Sequence, residues 1–190
     1  MADDYRTSTD PGAQAVRGIR NNNPGNIKSD GTQWQGLTGS DGTFCIFADM
    51  GWGTRALGLN LTNQINKDGL NTITTLISTY APPTENNTAA YITSVSSDTG
   101  IDPNATLTAD PATLALLIRA IANHENGDQA SATYLTDADI QAGLSLLNGT
   151  VASLIAAAPV YFQANPAEAI SILVGGAFVL WMLFKNSRRK

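Results

Sequence analysis

The chain has 190 residues and a formal net charge of −5, and residues 1–165 carry 7 Lys or Arg against 15 Asp or Glu, a net charge of −8. Such an acidic domain lacks the basic surface that proteins present to nucleic-acid phosphates, so nucleic acid is not an expected partner. The single cysteine, Cys45, excludes an internal disulfide, and its place in the apolar run 44–47 predicts that it is buried.

Residues 1–47 are predicted to form an arm, a loop and a hairpin before the helices begin. Residues 1–16 are polar and show no apolar period, so we predict a flexible arm without a cleavable signal peptide. Residues 17–26 are rich in Asn, Gly and Pro, which favour tight turns and left-handed backbone conformations, and predict an ordered loop held by side-chain hydrogen bonds. Gly-rich turns within residues 27–47 predict a small antiparallel hairpin, with Trp34, Phe44 and Phe47 facing the core.

Helices are predicted to form the rest of the domain. Their expected ranges are 50–66, 70–80, 88–99, 111–125 and 138–147. Asp110 and Pro111 are typical of an N-cap and a first helical residue, and Gly127 should end the helix that they begin. Asp137 is the expected cap of the last of the five helices.

The C-terminal residues predict a membrane anchor. Residues 169–184 hold no charge, and four cations follow within residues 185–190. With its flanking residues, this run approaches the about 20 apolar residues that a helix needs to cross a bilayer. We therefore predict a domain at 17–150, an apolar helix or linker at 151–166, a transmembrane helix at 167–185 and a basic tail at 186–190. A buried core helix is the alternative interpretation of the apolar run.

Glutamate is rare in this chain, which makes each one informative. Only Glu85, Glu125 and Glu168 occur, and Glu168 belongs to the predicted membrane boundary. Glu125 ends the most apolar helix of the domain, where it is either a solvated end residue or a general acid beside an apolar wall. Glu85 either complements the start of the next helix or is an alternative catalytic carboxylate. Because His124 is the only histidine, no metal site is expected, and no cofactor motif is present.

Several motifs resemble a family of phage and prophage virion-associated structural proteins. They are the RNNNPGNI motif at 20–27, Trp34-Gln35-Gly36, the apolar run 44–47, GTRAL at 53–57 and the segment 80–92. The resemblance covers about residues 17–127. The chain is more distantly similar to lysozyme-like lytic transglycosylases and glucosaminidases. That similarity implies a mainly α (α+β) fold, a lysozyme-like helical domain with a small β-hairpin, to which the anchor adds a C-terminal transmembrane helix.

The order of the motifs departs from that of the enzymes. Their catalytic Glu precedes the hairpin, whereas here no Glu precedes Arg17, and the segment 124–127 resembles the missing helix end, displaced as by circular permutation. This hypothesis predicts that Glu125 lies beside the loop 21–26. The resemblance thus implies Glu125 as catalytic residue, with Glu85 as the alternative. The implied substrate-binding residues are Asn21, Asn22, Asn23, Asn26, Trp34, Gln35, Tyr80 and Tyr91.

The number of carboxylates bears on the reaction. In lytic transglycosylases one Glu protonates the glycosidic oxygen and the substrate's own 6-hydroxyl attacks, giving an anhydro product. A hydrolase normally needs a second carboxylate at roughly 5 to 9.5 Å, for which Asp30, Asp49 and Glu85 are available.

The resemblance implies a membrane-anchored virion protein that cleaves peptidoglycan locally when the phage genome enters the host. Its expected partners are peptidoglycan, membrane lipid and other virion proteins, and its expected location is the virion, from which it reaches the host envelope. The alternative is a non-enzymatic virion component whose lysozyme-like domain binds glycan or another protein.

Overall fold

The structure, a computed structural model, describes residues 2–84 and 87–156. Within these ranges it contains eight helices and one two-stranded sheet. In chain order they are α1 (Pro11–Ala15), α2 (Arg17–Arg20), β1 (Leu37–Ser40), β2 (Cys45–Phe47), α3 (Met50–Asn66), α4 (Ile73–Tyr80), α5 (Thr88–Thr99), α6 (Pro111–Asn126), α7 (Asp128–Tyr134) and α8 (Asp137–Ala156). The predicted mainly helical fold with a small hairpin is confirmed.

The hairpin packs against the helical domain through β2, which contacts α3. β1 and β2 pair antiparallel, with Leu37 opposite Phe47 and Ser40 opposite Cys45. Asp41 closes the turn, since its Oδ1 accepts hydrogen bonds from the backbone N–H groups of Thr43 and Phe44. Phe47 and Cys45 are buried, as their positions in the sequence predicted. The inward side chains of the hairpin thus join the core that the helices form.

The core is organised around α3, which packs against α6 and α8. Leu57 and Leu61 of α3, like Leu117 and Ile118 of α6, are fully inaccessible to solvent. Burying a side chain of this size contributes about 1.5–3 kcal/mol. α8 approaches α3 at Gly143, where a side-chain Cβ would lie 2.6 Å from the Thr54 methyl group. The close contact between these two helices therefore requires glycine at this position.

The N-terminal segment differs from the predicted flexible arm. The Asp3 backbone N–H donates to Asp139 Oδ1 at 2.9 Å, and the Tyr5 backbone N–H donates to Asn22 Oδ1 at 2.9 Å. Ala13 of α1 is fully buried. Polar backbone contacts rather than a periodic apolar face attach this segment to the domain, and for that reason the hydrophobic pattern gave no sign of it.

The start of α8 also differs in detail from the prediction. Thr136 and Asp139 form reciprocal hydrogen bonds: the Asp139 N–H donates to Thr136 Oγ1, and the Thr136 N–H donates to Asp139 Oδ2. This is a capping-box arrangement, so Thr136 rather than Asp137 caps the helix. The helix continues to Ala156, beyond the predicted end at residue 147.

The predicted transmembrane helix requires a correction. Among residues 2–84 and 87–156, no helix combines the length and apolar character needed to cross a bilayer. The predicted span at 167–185 and the basic tail at 186–190 lie outside the described residues, as does most of the segment 151–166. On this finding the fold class is corrected to a mainly helical domain with a two-stranded hairpin.

Candidate functional site

The C-terminal end of α6 carries Glu125. The N-cap Asp110 accepts hydrogen bonds from the backbone N–H groups of Ala112 and Thr113, and Pro111 occupies the first position, as predicted. The apolar face of α6 is fully buried, whereas Glu125 in the last turn is half-buried. Gly127 follows with a φ of +83°, which glycine adopts readily, and ends the helix. The helix thus leads from the core to a carboxylate at the surface.

Both oxygens of the Glu125 carboxylate accept hydrogen bonds. Asn26 Nδ2 donates to Oε2 at 3.0 Å, and the Tyr91 hydroxyl donates to Oε1 at 2.9 Å. Asn26 has a φ of +46°, a left-handed conformation that Asn tolerates better than most residues. The predicted proximity of Glu125 to the Asn-rich loop is therefore present, across 99 residues of sequence.

The side chains of Asn21, Asn22 and Asn23 build the loop and do not line an open surface. Each residue is at most 4% exposed. Asn23 Nδ2 donates to the backbone carbonyls of Ile27 and Cys45, both at 3.0 Å, and its Oδ1 accepts from the Ile27 N–H at 2.9 Å. Protein groups thus occupy these amides, in contrast to the substrate-binding role predicted for them. The predicted ordered loop is confirmed for residues 21–26, whereas residues 17–20 form α2.

Asn126, which was not a predicted site residue, provides a second connection between α6 and the loop. Its Nδ2 donates to the Pro24 carbonyl at 2.8 Å and to the Ala122 carbonyl at 3.0 Å. Gly18 lies against it, and a Cβ there would come within 2.1 Å of Asn126 Oδ1. An Asn after a helical Glu carries no distinctive sequence signal, so only the fold identifies this contact.

A cleft of about 530 Å³ opens beside Glu125. The loop and the hairpin region supply one wall, which includes Asn26, Asp30, Trp34 and Phe44. Of the residues predicted to bind substrate, three line the cleft. These are Asn26, Trp34 and Tyr80.

A further part of the cleft wall was not predicted from the sequence. It comes from α3 through Asn60 and Gln64, whereas Tyr80 at the end of α4 was predicted. Asn60 and Gln64 are partly buried residues of α3. The hydrophobic pattern shows only that α3 has an apolar face and says nothing about a cleft beside it. The one sequence signal for this wall is that two polar amide side chains lie four residues apart on the same helix.

The other predicted residues lie elsewhere. Gln35 is exposed and is not part of the cleft wall. Tyr91 is 2% exposed and reaches Glu125 from within the domain. Asp49 caps α3 by accepting the Trp52 N–H, and Glu85 lies outside the described residues.

The tyrosines next to Glu125 are held in the neutral form. Burial, together with the nearby Glu125 carboxylate, raises the pKa of Tyr91 and that of Tyr80 above the ordinary value. The Tyr91 ring stacks on His124 at 3.6 Å and meets the Tyr80 ring edge-on at 6.4 Å. Among the described residues, no group of three His, Cys, Asp or Glu side chains is arranged to hold a metal ion.

Comparison with known proteins identifies a phage relative. Protein P5 of Pseudoalteromonas phage PM2 is 41% identical over 119 residues, which represent 60% of this chain and 73% of P5. The chain belongs to the protein P5 family. No family model matches the sequence. Membership of the P5 family supports the prediction that this chain is a phage virion protein and is located in the virion.

Proposed function

We propose that this P5-family domain cleaves peptidoglycan glycan strands, with Glu125 as the general acid. The observation that carries the proposal is the position of the Glu125 carboxylate, which borders a cleft of about 530 Å³ together with Trp34, Phe44 and Tyr80. Aromatic side chains offer apolar faces to sugar rings, while a carboxyl group beside them can protonate a leaving-group oxygen.

Polar atoms in the cleft-lining residues support a saccharide ligand. Asn26 Oδ1, Trp34 Nε1 and Gln64 Oε1 are buried and have no hydrogen-bond partner among residues 2–84 and 87–156. Most buried polar atoms in folded proteins are paired, so three unpaired ones around one cleft call for an explanation. The hydroxyl and acetamido groups of a glycan supply both donors and acceptors for such atoms.

The roles of the two carboxylates at the cleft follow from their surroundings. Asp30 accepts a hydrogen bond from the Thr32 backbone N–H, which holds the pKa of Asp30 below its ordinary value. Asp30 is also exposed, so water stabilises its ionised form and it is poorly suited to donate a proton. Among the described cleft residues Glu125 is the remaining carboxylate, and we assign the acid role to it.

In the proposed reaction Glu125 transfers its proton to the glycosidic oxygen as the bond from the sugar C1 to that oxygen breaks. In a transglycosylase, the substrate's 6-hydroxyl oxygen then bonds to C1, and its proton returns to Glu125. In a hydrolase, water attacks instead and a second carboxylate assists, for which Asp30 is available. The first route leaves a 1,6-anhydro end and the second a reducing end.

The proposal is tested by incubating the full-length chain with purified peptidoglycan and analysing the soluble products by mass spectrometry. Glu125→Gln removes the acid with little change in shape, and Asp128→Asn, an exposed carboxylate three residues later, is the matched control. We expect anhydro products from the wild type and Asp128→Asn, and a loss of at least about 100-fold in Glu125→Gln. Reducing ends would identify a hydrolase. Folded protein that releases nothing would refute cleavage and leave the structural virion role that the relationship to P5 supports.

A further inference from the structure

Tyr91 contacts Glu125 from the side opposite the solvent. It belongs to α5, is 2% exposed, and is not part of the cleft wall. We propose that Tyr91 is a positioning residue, whose hydroxyl holds the Glu125 carboxylate in one orientation towards the cleft. This inference rests on the proposed function, and it replaces the substrate-binding role that the sequence resemblance implied for Tyr91.

The two hydrogen bonds to Glu125 come from separate parts of the chain. Tyr91 binds Oε1 from α5, and Asn26 binds Oε2 from the loop after α2. A single donor would leave the carboxylate free to rotate about its last side-chain bond, whereas two donors on different oxygens oppose that rotation. The orientation of the acid therefore depends on both contacts.

The position of the Tyr91 hydroxyl is itself determined by the rings around it. The His124 ring lies parallel to the Tyr91 ring at 3.6 Å with an interplanar angle of 15°, and the Tyr80 ring meets it at 6.4 Å and 85°. The edge-on arrangement with Tyr80 is favourable for aromatic pairs, and the close contact with His124 leaves the Tyr91 ring no room to shift towards that side. The ring of Tyr91 is thus fixed on two sides, and its hydroxyl has little freedom to move away from Glu125.

The hydroxyl is also a permanent donor. A tyrosine that ionised near neutral pH would repel the carboxylate instead of binding it. Burial and the adjacent Glu125 charge raise the pKa of Tyr91, so the phenol stays protonated throughout the range in which an enzyme of this kind operates. The Tyr91 hydroxyl therefore remains able to donate to Glu125 throughout that range.

A positioning role has a distinct kinetic signature. Tyr91 has almost no exposed surface and does not line the cleft, so its hydroxyl contributes nothing directly to glycan binding. Its loss should lower kcat and leave KM nearly unchanged, because the acid becomes misoriented within an intact binding cleft. Misplacement of a reacting group by about 1 Å costs on the order of 100-fold in rate.

The test compares Tyr91→Phe with Tyr134→Phe in the full-length chain. Tyr134 is the matched control because its hydroxyl donates to Asp10, and it lies outside the cleft wall. We expect Tyr91→Phe to lower kcat roughly 10-fold to 100-fold with KM within about two-fold of wild type. Tyr134→Phe should retain wild-type kinetics. Unchanged kcat in Tyr91→Phe would overturn the inference.

A spectroscopic measurement tests the contact without relying on activity. The chain has only three glutamates, so labelling glutamate with ¹³C at the carboxyl carbon gives three resonances, and the one lost in Glu125→Gln belongs to Glu125. This resonance should shift in Tyr91→Phe and stay in place in Tyr134→Phe, and its constancy in both variants would contradict the inference. Wild-type protein that cleaves no peptidoglycan would instead refute the proposed function, which separates the two failures.

A second variant keeps the inference falsifiable if Tyr91→Phe does not fold. Asn26→Gly removes the other donor to Glu125, and glycine accepts the positive φ of residue 26 without strain. If orientation of the carboxylate governs the rate, Asn26→Gly also lowers kcat by at least about 10-fold. A variant that folds and retains wild-type kcat would refute the proposed dependence on orientation.

Discussion

Gly53 of α3 lies in close contact with the Asn-rich loop, residues 21–26. A Cβ at residue 53 would lie 1.8 Å from the Asn22 carbonyl oxygen and 3.0 Å from Pro24 Cδ. Ordinary contacts of a Cβ begin at about 3.4 Å, so the Gly53→Ala substitution forces the loop to retreat by roughly 1.5 Å. The carbonyl is backbone, which moves only if the loop moves. The same loop carries Asn26, one of the two donors to Glu125.

The expected change in the free energy of unfolding is the sum of two destabilising effects and one stabilising effect. Overpacking of this kind costs about 1–3 kcal/mol, and loss of one or two loop hydrogen bonds adds about 1–2 kcal/mol. Alanine in place of glycine inside a helix returns about 1 kcal/mol. We therefore expect Gly53→Ala to lower the free energy of unfolding by about 2–3 kcal/mol, equivalent to a decrease in Tm of about 4–12 °C for a chain of this length.

Gly58 provides a matched control on the same helix. It is also buried, but a Cβ there would lie 3.5 Å from Ile118 Cδ1, an ordinary contact distance. Gly58→Ala should therefore gain up to about 1 kcal/mol from helix propensity. Urea unfolding and thermal melts of both variants against the wild type measure the two effects. Equal stability of Gly53→Ala and Gly58→Ala would refute the close packing of the loop on α3.

Three further predictions concern the loop 21–26, the hairpin turn and the start of α8. Asn23→Ala removes three buried hydrogen bonds and should cost about 3 kcal/mol of unfolding free energy, and a loss below about 1 kcal/mol would contradict the burial of this amide. Hydrogen bonds, first of all from the Phe44 N–H, lower the pKa of Asp41 from 3.8 to about 2. The ionised Asp41 therefore stabilises the fold above about pH 4, and this contribution is lost as the pH falls towards 2. Between about pH 4 and pH 2 the free energy of unfolding should therefore fall less in Asp41→Asn than in the wild type, as measured by unfolding at a series of acidic pH values. Equal decreases in the two proteins would refute the assignment. Thr136→Ala removes the cap of α8 and should lower stability by about 1–2 kcal/mol in urea unfolding, whereas Asp137→Ala, next to it, should have a smaller effect.

Local signals predicted most of the helices. α3 and α5 occupy the expected ranges, and Asp110 and Gly127 bound α6 as predicted, because caps and stop residues act over a few neighbouring positions. α1, α2 and α7 were not predicted. Each has at most seven residues, too few to show an apolar period, and such short helices form because the surrounding domain covers them.

The proximity of Glu125 to the loop 21–26 could be predicted from the sequence, but the contacts of the individual residues could not. That prediction followed from interpreting the segment 124–127 as a helix end displaced from its place before the hairpin. The roles of Asn23 and Tyr91 did not follow from it. An Asn in a loop and a Tyr in a helix can each bind a ligand or another side chain, and only the fold decides which partner lies within hydrogen-bond distance.

The same contacts connect the stability of the loop to the orientation of Glu125. Asn126 holds the loop to α6 at Pro24, and Asn26 holds it to the carboxylate one residue before Asn126. Movement of the loop therefore breaks both contacts together, and the carboxylate loses a donor whenever the loop leaves its position. Substitutions that disturb the loop from a distance, as Gly53→Ala does from α3, should lower both stability and kcat, whereas Tyr91→Phe acts on kcat from the opposite side of Glu125 and leaves the loop in place. Comparing the two variants separates the orientation of the acid from the integrity of the loop that supports it.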